Sequence, residues 1–407
     1  MNCRHCNTPL EQTFLDLGFA PPSNAYLTKR NLSESESYFP LRVKICTSCW
    51  LAQTEDYRSP DELFTEDYAY LSSSSITWLE HARSFSKTII DLLSLNDRSL
   101  VVEVASNDGY LLKNFVHAGI PCLGIEPTKS TAELAERSGI NVLRQFFSES
   151  LARRLADDGK QADLIVGNNV LAHTPDINDF CRGLKILLKP NGTVTLEFPH
   201  IMRMIEQRQF DTVYHEHFSY LSLHTVIKIF HKVGLSVWNV DQLNTHGGSL
   251  RVYICHSEFQ RQVEKSVSTL IDLEASFGLL EINKYSSFQR YADRIKNDLL
   301  AFLIEQKRNH KEVVAYGAAA KGNTLLNYAG IKPDLLKCVF DTSISKQGKY
   351  MPGSHIPIYP PAILSKMRPD YVLILPWNIA PEIKLEISNL SQSKPYYIVA
   401  IPKLQVL

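Results

Sequence analysis

A chain of 407 residues exceeds what one hydrophobic core serves, and at about 150 residues per domain two or three domains are expected. With 44% apolar and 21% charged residues, it has the make-up of an ordinary folded protein. Lys+Arg and Asp+Glu are both 43, so no bulk field draws a polyanion; this argues against a nucleic-acid partner but leaves open a substrate with one or two phosphates.

The chain begins Met-Asn-Cys-Arg-His-Cys, without the basic start and apolar run of a signal peptide. No stretch approaches the ~20 continuous apolar residues of a membrane span. A cytoplasmic protein with no membrane partner is expected, and in that reducing setting paired cysteines favour a metal over a disulfide. Cys3-x-x-Cys6 and Cys46-x-x-Cys49 supply four thiolates, two from each turn. Four sulfur ligands close the tetrahedral shell of zinc and leave no position for water, so the metal is expected to be structural. A redox dithiol is the rival reading, but the pattern occurring twice suits a metal better. His5, between two ligands, is expected to be exposed. Residues 12–15 and 38–44 are strand-like and predict a small sheet between the knuckles. Cys122, Cys181, Cys255 and Cys338 lie singly in apolar runs and read as small core residues.

From residue 78, helical and strand patterns alternate as in a βαβ series. The spacing predicts helices over 78–95 and 111–118, and strands over 100–104, 123–125, 163–166 and 193–197. A charged stretch over 260–309 reads as one or two long helices, and buried strands over 312–315, 337–340 and 371–375 as a second α/β unit. The expected division is 1–75, 76–255 and 256–407.

The segment from Val101 to Tyr110 is an apolar strand, an acidic residue (Glu103) and a tight loop into a helix, the layout of the first unit of a nucleotide-binding α/β fold. Ala105 and Asn107 stand in the first two glycine places and only Gly109 remains, which is weak as a glycine motif alone. Glu126, followed by Pro127, ends the next strand, where a carboxylate can accept from both ribose hydroxyls of an adenosyl group. Asn168 and Asn169 end a third strand with amides suited to a methionine moiety. The spacing resembles class I methyltransferases, whose cofactor S-adenosylmethionine carries no phosphate and needs no glycine cradle. The expected cofactor residues are Glu103, Ser106, Asn107, Gly109, Glu126, Pro127, Asn168 and Asn169. An NAD-binding dehydrogenase is the nearest rival, and strand capping the bland reading of the two glutamates.

Tyr214-His215-Glu216-His217-Phe-Ser-Tyr220 packs ionisable groups into a segment expected to follow a strand. It lacks the spacing of a metalloprotease helix. A neutral His takes a proton near pH 7, and a Tyr hydroxyl can donate to a developing oxyanion. By itself such a run is more often a polar surface turn than a base.

Together, the cysteine pairs, Glu103-Val-Ala-Ser-Asn-Asp-Gly109, Tyr214–Tyr220, His246-Gly-Gly-Ser-Leu-Arg251 and Tyr316-Gly-Ala-Ala-Ala-Lys-Gly-Asn-Thr324 resemble the nucleotide-sugar C-methyltransferases, notably the C-3′ enzymes of branched deoxysugar pathways such as mycarose synthesis. The motifs run in family order from Cys3 to about Trp377; one departure is Trp50, where a Gly commonly follows the fourth cysteine. The resemblance implies a class I methyltransferase Rossmann-like domain between an N-terminal zinc-binding module and a C-terminal Rossmann-like α/β domain that helps hold a dTDP-linked 4-keto-6-deoxy sugar. It also suggests a monomer. A base removes the proton beside the ketone, and the enolate carbon takes the methyl group. By match to the family motif His217 is the expected base, with Glu216 and Tyr214 supporting it or the enolate oxygen, and Tyr70 near the sugar. His215 is the rival base. His246, Arg251, Lys321, Asn323 and Asp341 are the expected substrate-binding residues; small-residue packing of strand on helix is the alternative for residues 316–324, and a surface ion pair for Arg251. Competing readings are an O- or N-methyltransferase of another small molecule, and a non-catalytic zinc-module scaffold.

Overall fold

Leu41, Val43 and Ile45 alternate with Arg42 and Lys44, the period of a strand with one face buried, and the three apolar residues are buried in the computed structural model. The structure describes residues 1–57, 71–259, 261–390 and 394–407. Strands β1 (Gln12–Ala20), β2 (Phe39–Ile45) and β3 (Ala52–Thr54) form an antiparallel sheet, lengthening the first predicted segment and shifting the second by one residue. A fourth strand completes it from far along the chain: β9 (Ser219–Tyr220) pairs antiparallel with β3.

The middle sheet has strands β4 (Val101–Val104), β5 (Cys122–Ile125), β6 (Val142–Leu143), β7 (Ala162–Asn168), β8 (Leu188–Pro199), β10 (Leu235–Leu243) and β11 (Ser249–His256). Their order is β10-β11-β8-β7-β4-β5-β6, parallel throughout except for β11, which runs antiparallel to β8 and β10. This is the class I methyltransferase sheet. Val101, Val102 and Val104 are all buried, as a central parallel strand covered on both faces requires. The chain turns from one half of the sheet to the other beside β4, where open α/β sheets bind ligands beyond the strands' carboxyl ends. The predicted helix over 78–95 is Ile76–Leu93, opened by the Ser75 hydroxyl accepting from the Trp78 N–H at 3.3 Å.

The third sheet joins β12 (Val313–Tyr316), β13 (Val339–Phe340), β14 (Ile358–Tyr359), β15 (Tyr371–Ile374), β16 (Tyr396–Val399) and β17 (Gln405–Val406) in the order β14-β13-β12-β15-β16-β17. The charged stretch before it holds three helices, Lys265–Phe277, Ile282–Ser286 and Phe288–Arg308. The first adds Val267 and Leu270 to the core of the middle sheet. The last binds the ends of the molecule together: Phe288 stacks on Phe14 of β1, while Ile295, Leu299 and Leu303 share a core with Val313 and Leu373. Packing thus crosses the boundaries expected near residues 75 and 255. No helix of the described residues is long and apolar enough to cross a membrane.

Candidate active site

The four knuckle cysteines converge. Cys3 Sγ lies 3.5 Å from Cys49 Sγ, Cys6 Sγ lies 3.5 Å from Cys46 Sγ, and all four fall within 4.8 Å of one another. Zinc–sulfur bonds of about 2.3 Å set tetrahedral sulfurs about 3.8 Å apart, so the donor set fits that ion. No other group of three His, Cys, Asp or Glu side chains converges this way among the described residues. Each knuckle closes alike: the Asn7 N–H bonds Cys3 O and the Trp50 N–H bonds Cys46 O, both at 2.9 Å. Both closing residues take the left-handed conformation, φ +62° and +63°. This explains why glycine is common at the second position, and Trp50 recovers part of the strain by stacking on Tyr285.

His5 is buried, contrary to expectation. Its Nδ1 pairs with Asn178 Oδ1 at 2.9 Å, and Asn178 Nδ2 donates to the carbonyls of Arg4 and His5. The buried Arg4 guanidinium donates to Pro175 O and Thr54 O at 2.9 Å and pairs with Asp56. The metal knuckle is thereby fastened to residues 174–178 of the methyltransferase domain.

Those residues form one wall of a cavity of about 750 Å³, within the range of small-molecule sites. At one end stands the loop after β4. Ala105 and Asn107 adopt φ +58° and +50°, and Gly109 +77°, so the loop keeps a glycine-type backbone despite its sequence. The Glu126 carboxylate accepts the N–H groups of Asn107 and Thr128, each at 2.9 Å, and reaches the cavity with Asn107, Pro127, Asn168 and Asn169. Asn168 and Asn169 each carry a buried Oδ1 without a protein partner, which suits the ammonium end of S-adenosylmethionine. Glu103, Ser106 and Gly109 lie below this surface. Both Glu103 oxygens lack partners, and burial, with Asp108 and Glu126 nearby, drives its pKa far upward. Gly109 is a packing point: a Cβ there would sit 2.3 Å from Ile140 Cδ1 and 3.2 Å from Ala135 Cβ.

The segment from Tyr214 to Tyr220 is a turn that precedes β9, rather than a run following a strand; the His217 N–H bonds Tyr214 O at 3.0 Å. His217 Nδ1 meets the Thr212 carbonyl at 2.9 Å, which makes that nitrogen the donor. Nε2 therefore carries the lone pair and accepts from the Tyr214 hydroxyl at 2.6 Å. Burial and the adjacent His173 hold His217 well below the usual histidine range, hence neutral. His215 instead faces the first sheet, its Nε2 3.3 Å from Phe39 O. Glu216 makes no hydrogen bond to His217; its buried carboxyl, raised to about 7 by burial, accepts from Asn24 Nδ2 at 2.6 Å. Tyr70 lies outside the described residues.

The far side of the cavity comes from the C-terminal domain. Ala319, Ala320 and Lys321 open the helix Ala320–Tyr328 toward it, and Lys346 joins them. Lys321 lies over the Trp377 ring and donates to Asn378 at 2.7 Å. His246 lines the cavity in a left-handed conformation, 3.2 Å from Asn169 Nδ2, and burial lowers it to about 4. Three predicted substrate residues are engaged elsewhere. Arg251 is committed to a buried ion pair with Glu197 at 2.8 Å, not a surface one. Asn323 Nδ2 donates to Ser23 O, and Asp341 accepts the Ala318 N–H. Gly322 supports the packing alternative in part, since a Cβ there would lie 2.8 Å from Leu375 Cδ1.

Sequence patterns missed several groups. His173, lowered to about 4 by burial, packs edge-on against His217 at 4.6 Å and donates to Glu216 O. Asp211, raised to about 6 by burial, accepts from Trp377 Nε1 at 2.8 Å. Asn24, Tyr110 and Phe146 also line the cavity. Only Asp211, one residue before Thr212, lay close enough to the histidine run to have been sought.

Comparison with known proteins matches three family models along the chain. Residues 3–64 match a family model for a zinc binding domain, 78–240 a methyltransferase domain, and 244–402 a C-methyltransferase C-terminal domain. C-methyltransferase NovU of Streptomyces niveus is 32% identical over 405 residues, spanning 100% of this chain and 96% of its own. A ubiquinone biosynthesis O-methyltransferase of Bartonella tribocorum is 23% identical over 109 residues, 26% of this chain and 44% of its own. The crystal structure of a SAM-dependent methyltransferase from Anabaena variabilis shares 16% identity over 44% of this chain and 85% of its own, with a TM-score of 0.36.

Proposed function

The chain belongs to the S-adenosylmethionine-dependent, zinc-containing C-methyltransferases, and from that premise we propose that it methylates C-3′ of a dTDP-linked 4-keto-6-deoxy sugar. One observation carries the reading: a single cavity runs from Glu126 and Asn107, past the neutral His217 and Tyr214, to Lys321 and Lys346. Its first end has acceptors for an adenosyl ribose and a methionine ammonium, its last end cations and a helix start for a diphosphate. Bound S-adenosylmethionine supplies an electrophilic methyl carbon on a positively charged sulfur.

In this reading His217 is the base. The Thr212 carbonyl fixes its tautomer, so the free lone pair is on Nε2, the nitrogen beside Tyr214. The Tyr214 hydroxyl turns its hydrogen from Nε2 to the ketone oxygen, which frees the lone pair; Nε2 then takes the proton from the carbon next to the ketone, and the electron pair of that C–H bond passes into the enolate. The imidazolium donates to the Tyr214 oxygen, whose own hydrogen bonds the enolate oxygen. Glu103, Ser106 and Gly109 shape the cofactor loop from beneath. His246 and Lys321 face the substrate, and Arg251, Asn323 and Asp341 hold the elements that present them. A reducing cytoplasm keeps the zinc thiolates reduced, and the working unit is a monomer.

The test is incubation with dTDP-4-keto-6-deoxyglucose and S-adenosylmethionine in deuterated water. The expected result is deuterium at C-3′ of the sugar not yet methylated, and a C-methylated product, by mass spectrometry and NMR. Absence of both exchange and C-methyl product with every keto-sugar offered sinks the reading.

A further inference from the structure

Residues 21–27, between β1 and β2 of the zinc module, reach the C-terminal domain beside the cavity. Asn323 Nδ2 donates to Ser23 O, and the Tyr26 hydroxyl donates to Ala318 O, both at 2.6 Å. Leu27 then pairs with Tyr350 through hydrogen bonds at 3.0 and 2.8 Å. Asn24 is the member of this strap that lines the cavity.

Its partner is the Glu216 carboxylate, which accepts from Asn24 Nδ2 at 2.6 Å and from the Asn24 backbone N–H. Glu216 Oε2 accepts from Nδ2 while the same carboxyl accepts the Asn24 backbone N–H, so the NH2 of the Asn24 amide faces Glu216 and Oδ1 faces away. No protein group donates to that Oδ1 among the described residues. Burying a carboxylate is costly, and packing alone would be met by an apolar residue. The geometry points to Asn24 as a substrate-specificity residue, its Oδ1 accepting a hydrogen bond from a ring hydroxyl of the sugar, with Glu216 as the residue that positions it. This rests on the keto-sugar reading of the site. The zinc module then contributes a side chain to the substrate site as well as a fold.

The test compares wild type, Asn24→Ala, Glu216→Ala and Glu216→Gln on dTDP-4-keto-6-deoxyglucose and on its analogues lacking the C-2′ or C-3′ hydroxyl. Wild type is expected to favour the hydroxylated sugar over one analogue by about 10- to 100-fold in kcat/KM, since the analogue leaves the acceptor unpaired. Asn24→Ala raises KM for the full sugar about tenfold or more and erases that preference, with kcat, zinc content and S-adenosylmethionine affinity preserved. Glu216→Ala follows it, and Glu216→Gln, which keeps an acceptor, restores part of the preference. A merely structural strap would lower stability without changing discrimination between sugars. A wild-type KM in Asn24→Ala, or an undiminished preference for the hydroxyl, overturns the assignment alone. Wild-type silence on every keto-sugar overturns the functional reading and this assignment with it.

Discussion

Tyr214 and His217 stand one turn apart, hydroxyl to imidazole at 2.6 Å with ring centroids 3.9 Å apart, and the direction of the bond follows from a third residue, Thr212. His217→Asn is expected to retain S-adenosylmethionine binding and lose about 10²- to 10⁴-fold in turnover, the usual contribution of a positioned base. Tyr214→Phe should cost less, because Nε2 survives without its hydroxyl. Calorimetric affinity and single-turnover rates on the same samples check both. Full turnover in His217→Asn would move the base elsewhere.

Buried groups here pull stability in opposite directions with pH. His173 and His246, each lowered to about 4, contribute stability that is present above the unfolded value near 6.5 and lost as pH falls toward 4. Glu216, raised to about 7, contributes stability that is present at low pH and lost as pH rises from about 4.5 through 7. Glu216→Gln removes that loss. Denaturant titration should find the variant about 1–3 kcal/mol more stable than wild type at pH 8, with the gain gone at pH 4.5. An equal difference at both pH values would contradict the assigned burial.

Ala105 holds φ +58° at the first glycine place of the cofactor loop. Ala105→Gly should therefore raise stability by about 1 kcal/mol. Gly109→Ala should lower it by about 1–3 kcal/mol, since φ +77° is joined by crowding against Ala135 and Ile140. Thermal unfolding of the two variants decides; two changes of the same sign would show that loop strain is not the governing factor.

Zinc and the cofactor wall are joined through Arg4, which sits between two metal ligands and donates to Pro175 O. Arg4→Met keeps the cysteines and should keep the metal. The loss of its charge-assisted bonds is expected to cost about 2–4 kcal/mol in stability and to weaken S-adenosylmethionine binding. Removing zinc with a chelator should do both more strongly. Metal content and affinity measured on one sample test the link; cofactor affinity unchanged in both cases would break it.

What could be read from the residues was whatever is local. The paired cysteines are close in sequence because one turn must offer two sulfurs, and the valines of β4 announce a covered strand. The glycine-poor loop misleads because Ala105 and Asn107 accept a backbone more typical of glycine. Glu216 beside His217 suggests a pair, yet the turn sends one to Asn24 and the other to Thr212 and Tyr214. His173 and Asn24 were silent because each is a lone polar residue in an unremarkable stretch. Only tertiary folding carries them to a site more than 40 residues away for the first, and about 190 for the second, as the separations of 43 and 192 to Glu216 record.

The pairing of β3 with β9 also orders events during synthesis. Both knuckles have left the ribosome once Cys49 is out, so the thiolates can take up their ion early. The outer edge of β3 must nevertheless wait for Ser219 and Tyr220, roughly 10–30 s later at ordinary elongation rates. Until then the nascent chain presents an open strand edge, a known invitation to mispairing. The part of the molecule made first is completed only when more than half of the chain has been made, and expression at low temperature or with chaperones should matter most during that interval.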